Sequence, residues 1–179
     1  MPTSPQSTTT TAVPVTAPPR TRVTTFTVDP PEVERELDVR PWLNRICDLL
    51  TDAEGEAVGV DAPAKASTPS GLGASCSRPA GDNRASVNIT ASTRYEDVTE
   101  LLLNNDHETQ YMAEATTSGQ PAVVVSEERD PEERCTVGVM LADDQSLVVD
   151  LRAGEGDRGD VCDRALKAAD LAVGKVAEG

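Results

Sequence analysis

Along the last third of the chain, apolar positions fall first on a period of two and then on a helical one. Cys135, Val137, Val139 and Leu141 alternate with Thr136, Gly138 and Met140, as in a half-buried strand. Ala142-Asp-Asp-Gln145 is turn material, and Leu147, Val149 and Leu151 restart the alternation, so 134–152 is predicted to be an antiparallel hairpin. Beyond Ala153-Gly-Glu-Gly-Asp-Arg-Gly159 the spacing becomes three and four. Cys162, Ala165, Leu166, Ala169, Ala172, Val173 and Val176 form one stripe of a helix, with Asp160 or Asp163 placed to serve its first N–H groups. Because the stripe is mostly alanine, the helix should lie close on the sheet. Its own burial contributes modestly, at roughly 0.8 kcal/mol per buried methylene.

The same reading extends upstream. Pro121-Ala-Val-Val-Val125 is a β-branched run behind a turn at Gly119, and Gln110 to Thr117 is predicted to be its neighbouring strand. Ala74 to Arg78 gives a first strand, and Ala85, Val87, Ile89 and Ala91 alternate as a second. Trp42, Ile46 and Leu49 mark one face of a short helix containing Cys47. Thr51-Asp-Ala-Glu54 has capping-box spacing, opening a second helix that ends near Gly59. Residues 60–73 read as loop. Thr93-Arg-Tyr-Glu96 is another capping box, opening a helix with Tyr95, Val98, Leu101 and Leu102 inward. The predicted class is α+β: an antiparallel sheet of five to six strands with helices packed mainly on one face. The fold is expected over 29–179, with its core at about 40–177. The Thr/Pro-rich residues 1–28 are expected to be an extended, disordered tether, because they hold too little apolar surface to fold.

Cysteine usage sets the expected compartment. Cys47, Cys76, Cys135 and Cys162 contain no Cys-x-x-Cys pair, and the single histidine, His107, lies in a polar stretch, so no zinc site is expected. An even count at long spacings predicts two disulfides and an oxidising environment. The sequence does not choose among three connectivities; we favour sequential pairing, Cys47 with Cys76 and Cys135 with Cys162. Closing loops of that size is worth about 3.5 kcal/mol each on the chain-entropy account.

Charge narrows the partners. The chain of 179 residues carries a formal net charge of −15. Residues 1–28 hold Arg20 and Arg22 and no acid, so the remainder has 14 of the 16 bases against all 31 acids, or −17. Such a surface repels phosphate backbones and anionic headgroups, which argues against nucleic acid and against a domain lying on a membrane. The segment has no apolar run resembling a signal peptide or a membrane span. With secreted character, this predicts a precursor trimmed of its signal, with Met1 added. Anchoring would then be by a lipid-modified cysteine upstream, plain secretion being the alternative.

No reaction centre emerges. The acids Glu127, Glu128, Asp130, Glu132 and Glu133 read as one solvated loop. Glu155-Gly-Asp157-Arg-Gly-Asp160 lacks the alternating ligands of a calcium loop, and Arg158-Gly159-Asp160 is a chance adhesion-type tripeptide. His107 has no nucleophile frame to serve. Asn88-Ile-Thr90 matches a glycosylation sequon but sits on a strand read as facing inward. Phe26, Trp42, Tyr95 and Tyr111 read as packing residues rather than stacking platforms. No catalytic residue, cofactor or metal is expected.

One resemblance covers residues 40–177. Cys47-Asp-Leu-Leu-Thr51 with Glu54 and Gly59, then Cys76-Ser-Arg78, Gly119-Gln-Pro-Ala122, Cys135-Thr-Val-Gly-Val139, Ser146-Leu-Val-Val149 and Cys162-Asp-Arg-Ala165 follow one another in order. This series resembles a family of actinobacterial lipoproteins of unknown function, with a D-P-C-x-L-L-T opening and a late C-D-x-A helix. The resemblance implies a lipidated N-terminus at the outer face of the plasma membrane and sequential disulfides, and no activity. Arg45-Ile46 stands where the family has Asp-Pro, and Arg78 where a tryptophan often follows Cys-Ser, which takes a core aromatic from beside Cys76. The expected function is a monomeric, non-enzymatic binding module of the cell envelope, taking a small apolar ligand or an envelope protein. A groove between the helix at 95–103 and the sheet is the expected place. The alternatives are an accessory regulator of a membrane sensor kinase or transporter, and a hydrolase with a carboxylate-only site.

Overall fold

A computed structural model describes residues 21–22, 32–67, 73–79, 84–94, 111–127, 131–157 and 160–179. In chain order the elements are β1 (Thr21–Arg22), a 3-10 helix (Arg40–Leu49), α1 (Asp52–Ala57), β2 (Lys65–Ala66), β3 (Gly73–Arg78), β4 (Ser86–Ser92), β5 (Tyr111–Thr117), β6 (Gln120–Ser126), β7 (Arg134–Ala142), β8 (Gln145–Arg152) and α2 (Val161–Glu178). The strands form one antiparallel sheet in the order β1-β5-β6-β7-β8-β4-β3-β2. Its six long strands are those read from the sequence. The two edges are additions, each two residues long: β2 lies inside the stretch read as loop, and β1 inside the stretch assigned to the tether.

The hairpins follow from local chemistry. Between β5 and β6, Ser118 and Gly119 both take positive φ (47° and 81°), the twist-matched two-residue turn that glycine accepts readily. Between β7 and β8 the turn is Asp143-Asp144, with an irregularity in register between Met140 and Ala142. Both turns make neighbours of strands adjacent in sequence, so the centre of the sheet is assembled from local pairings.

Every described helix packs on one face of the sheet. α2 lies over β7 and β8, and its stripe Cys162, Ala165, Leu166, Ala169, Ala172, Val173 and Val176 is buried, as the spacing predicts. Asp160 caps it, accepting from the N–H groups of Cys162 and Asp163. Opposite stand Leu147, Val149, Leu151, Val137, Val139 and Leu141, none exposed. The 3-10 helix covers β3 and β4 beside α2. Trp42, Ile46 and Leu49 face inward as expected, but the segment is 3-10 rather than α and departs from helical angles at Arg45. There the Arg45 guanidinium lies 4.0 Å above the Trp42 ring. α1 opens with the predicted capping box: Thr51 N–H donates to Glu54 Oε2 at 2.7 Å, and Glu54 N–H to Thr51 Oγ1. It closes before Gly59, at φ 79°.

The segment before the 3-10 helix is fixed by two glutamines. Gln120 Nε2 donates to the Arg35 carbonyl (2.7 Å), Leu37 N–H to the Leu141 carbonyl (2.7 Å), and Val39 N–H to Gln145 Oε1 (2.8 Å). Two buried side-chain amides thus flank one backbone bond to β7 in holding this segment. The helix expected at 95–103, the groove beside it, His107, Phe26 and residues 1–20 of the expected tether lie outside the described residues.

Candidate functional site

The four predicted cysteines form Cys47–Cys76 and Cys135–Cys162, each with Cα atoms 5.1 Å apart. The sequential pairing is therefore the one present. Cys135–Cys162 ties the start of β7 to the first turn of α2, joining the two layers where both residues are wholly buried. Cys47–Cys76 ties the 3-10 helix to β3, next to the short edge strand β2.

Arg78, where a missing aromatic was expected to leave poor packing, fills the position itself. It is 3% exposed, on the helix-facing side of β3. Nη2 donates to the Leu50 carbonyl (2.7 Å), and Nη1 to the Ala62 carbonyl (2.9 Å) and to Asp52 (2.7 Å). Its Nε is buried without a partner. The aliphatic stem lies under α1, so that a Cβ on Gly55 would come within 3.3 Å of Arg78 Cδ. Charge plus stem thus replace what a tryptophan would give by area alone.

Three cations on α2 grip the same segment from the other side. Arg164 Nε donates to the Val58 carbonyl (2.8 Å), Lys167 Nζ to that of Ala57 (3.1 Å), and Lys175 Nζ to that of Asp48 (2.8 Å) and to the Glu54 carboxylate. The carbonyls that end α1 would otherwise need water, and the cations answer its dipole. Partial burial works against the Glu54 charge, but hydrogen bonds from Lys175 and Thr51 outweigh it and hold the carboxyl below its ordinary value. Arg164, with help from the Gly154 N–H, likewise holds Asp157 low.

The face of the sheet away from α2 divides into two halves. Across β3, β4, β8 and β7 runs one polar rung, Ser77, Asn88, Asp150 and Thr136 in register. Its members satisfy one another: Ser77 Oγ donates to Asn88 Oδ1 (2.9 Å), and Arg134 Nε (2.8 Å) and Thr136 Oγ1 (3.3 Å) donate to Asp150 Oδ2. On β5, β6 and β7 the face becomes apolar, with Met112, Val123, Val125 and Met140 buried together and Val33 packed against them. Methionines make such a cluster adaptable in shape.

The remaining candidates are dispersed. Of the acidic loop, Glu127, Glu132 and Glu133 are exposed, while Glu128 and Asp130 lie outside the described residues, as does Arg158-Gly159 of the tripeptide. Asp157 and Asp160, read as a failed calcium loop, are bound to Arg164 and to the start of α2. Asn88 is half-buried on the face away from α2; it is Ile89 beside it that points inward, which corrects the inward reading of the sequon asparagine. Trp42 is core and Tyr111 half-buried. Among the described residues no three metal-ligating side chains come together, and no helix is long and apolar enough to cross a membrane. The arrangement sequence reasoning missed is the grip of Arg78, Arg164, Lys167 and Lys175 on backbone carbonyls, a partner class that leaves no residue signature.

These features define a two-layer α+β domain, stapled between and beside its layers by two disulfides, with its remaining sheet face half polar and half apolar. A search of curated proteins and a search of solved structures each return no similar chain. The chain belongs to the family of proteins of unknown function DUF3558, whose profile matches residues 2–175.

Proposed function

We propose that the protein is a non-enzymatic, extracytoplasmic binding module of the cell envelope, held at the outer face of the plasma membrane by N-terminal lipidation of its precursor. The observation that carries this reading is the pair of disulfides that uses every cysteine of the chain, an economy suited to an oxidising compartment. The strong negative charge fits a domain that stands off an anionic membrane surface. Short sheet edges, one carrying Lys65 two residues after Pro63, disfavour strand-to-strand association and support a monomer. The ligand in this reading is a small apolar molecule or an apolar segment of an envelope protein.

Expression of the precursor in its native host, followed by fractionation and intact mass spectrometry of the membrane pool, tests the location. A diacylglycerol-modified N-terminus supports it, and recovery in the cytosol with reduced thiols refutes it. Native mass spectrometry of the purified protein tests the binding role: a retained apolar molecule or a defined envelope protein supports it. Turnover in a broad hydrolase panel, lost on neutralising a carboxylate, would instead establish a carboxylate-only hydrolase.

A further inference from the structure

The two disulfides differ in a way that bears on their chemistry. Cys135 sits on β7 with β6 and β8 on either side, and both Cys135 and Cys162 are 0% exposed. Cys76 is 4% exposed on β3, whose outer neighbour is the two-residue β2, and Cys47 on the 3-10 helix is only part-buried. Exchange requires a thiolate to reach one sulfur in line with the bond, so access decides which disulfide reacts. Arg78 follows Cys76 by two residues on the same face, about 7 Å along the strand. It brings a buried cation with an unused Nε donor, and the carboxylate it meets among the described residues, Asp52, is 81% exposed and so neutralises it weakly.

We infer that Cys47–Cys76 is an exchangeable disulfide, attacked by an external dithiol at the Cys47 sulfur and releasing Cys76 as a thiolate stabilised by Arg78. In the first step a thiolate of the dithiol bonds to Cys47 Sγ, the Cys47–Cys76 bond breaks, and its electron pair leaves on Cys76. In the second step the other thiol of the reagent gives its proton to solvent and displaces Cys47, which takes up a proton. The dithiol is oxidised by two electrons to its disulfide, and the Cys47/Cys76 pair is reduced by two. The 3-10 helix and α1 stay in place through the bonds of Arg78, Arg164, Lys167 and Lys175 to the carbonyls of residues 48–62. Reduction therefore creates a reactive thiol pair on a folded domain, a site suited to an envelope oxidoreductase carrying two neighbouring thiols.

Two measurements test this. The native protein is treated with dithiothreitol at neutral pH, quenched with iodoacetamide at intervals and mapped by mass spectrometry while circular dichroism is followed. Cys47 and Cys76 are expected to be modified at least tenfold faster than Cys135 and Cys162, with the spectrum unchanged. Simultaneous opening, or opening of Cys135–Cys162 first, overturns the proposal. The Cys47→Ser variant then leaves Cys76 as the single thiol, titrated by thiolate absorbance. Burial alone would push this thiol above its ordinary value of about 8.5, whereas the Arg78 charge pulls it below. A value below 8.5 that persists with Arg78→Lys is expected, and a value at or above it overturns the role given to Arg78.

Discussion

The Leu50 carbonyl accepts from Nη2 of Arg78 at 2.7 Å, across 28 residues, and this bond lies wholly inside the protein. Hydrogen bonds to a charged donor are the strong kind, and truncating the donor leaves buried carbonyls with neither protein nor water as partner. Arg78→Met should therefore lower stability by about 2–4 kcal/mol in urea unfolding at unchanged m-value. Asp52→Ala, which removes an exposed partner of the same guanidinium, should cost less than about 1 kcal/mol. Equal losses from the two variants would show that the ion pair, rather than the carbonyl contacts, does the holding.

A second prediction concerns acid. The folded-state pKa of Glu54 is depressed from an ordinary 4.5, so the unfolded chain binds its proton first as pH falls. Its contribution is fully present above about 4.5 and is lost as pH drops through the folded value. Asp157, also depressed, acts in the same direction. Glu54→Gln should cost about 1 kcal/mol at pH 7 and progressively less as pH falls below 4.5, flattening the acid limb of the stability curve measured by urea midpoints. A constant difference between pH 7 and pH 3 would mean that the Lys175 contact acts through packing alone.

What the sequence disclosed depended on whether a feature has a period. The hairpin of β7 and β8 and the buried stripe of α2 alternate cleanly, and the described residues place both elements as read, although β7 is buried on both faces where a half-buried strand was expected. The capping box of Thr51 and Glu54 was legible because it is a fixed spacing of two residue types with one geometric use. The edge strands were not: Lys65–Ala66 is too short to have a pattern, and its pairing to Ser77 and Cys76 is set by the strand it borders. Arg78 was misjudged for another reason. A charged residue in an apolar alternation looks like a packing defect until the carbonyls of Leu50 and Ala62, distant in sequence, are seen to converge on it. The site itself left the weakest signal, since a half-apolar sheet face differs from a core face only in what lies over it.

The alanine stripe of α2 gives a third prediction. Ala165, Ala168, Ala169 and Ala172 are fully buried against the sheet, so the helix approaches as closely as a methyl group allows. Ala169→Leu adds three heavy atoms where there is no room, and should cost about 1–3 kcal/mol through displacement of the helix. Ala177→Leu, at a part-buried position on the last turn, should change stability by less than about 0.5 kcal/mol. Thermal unfolding of both variants checks the contrast, and a tolerated Ala169→Leu would indicate a loosely packed layer.

The turn between β5 and β6 provides the last test, because its backbone and side-chain contributions separate. A Cβ on Gly119 would meet nothing within 4 Å, so Gly119→Ala adds no clash, and its cost is that of holding a non-glycine residue at φ 81°. That cost is about 1 kcal/mol. Ser118, beside it, ties the turn to α2: its N–H donates to Asp170 Oδ1 at 2.7 Å, and its hydroxyl bonds Asp170 Oδ1 at 2.9 Å and the Asp170 carbonyl at 3.1 Å. Asp170→Ala removes the side-chain acceptor and should cost about 1 kcal/mol of its own. If the turn conformation is imposed by its strands, the two losses will add within about 0.5 kcal/mol in the double variant. If instead the Asp170 tether is what holds the turn in its left-handed geometry, Asp170→Ala will relax the turn, and Gly119→Ala will then cost markedly less. Chemical unfolding of the four proteins in the cycle decides between a turn made by the sheet and a turn made by the helix.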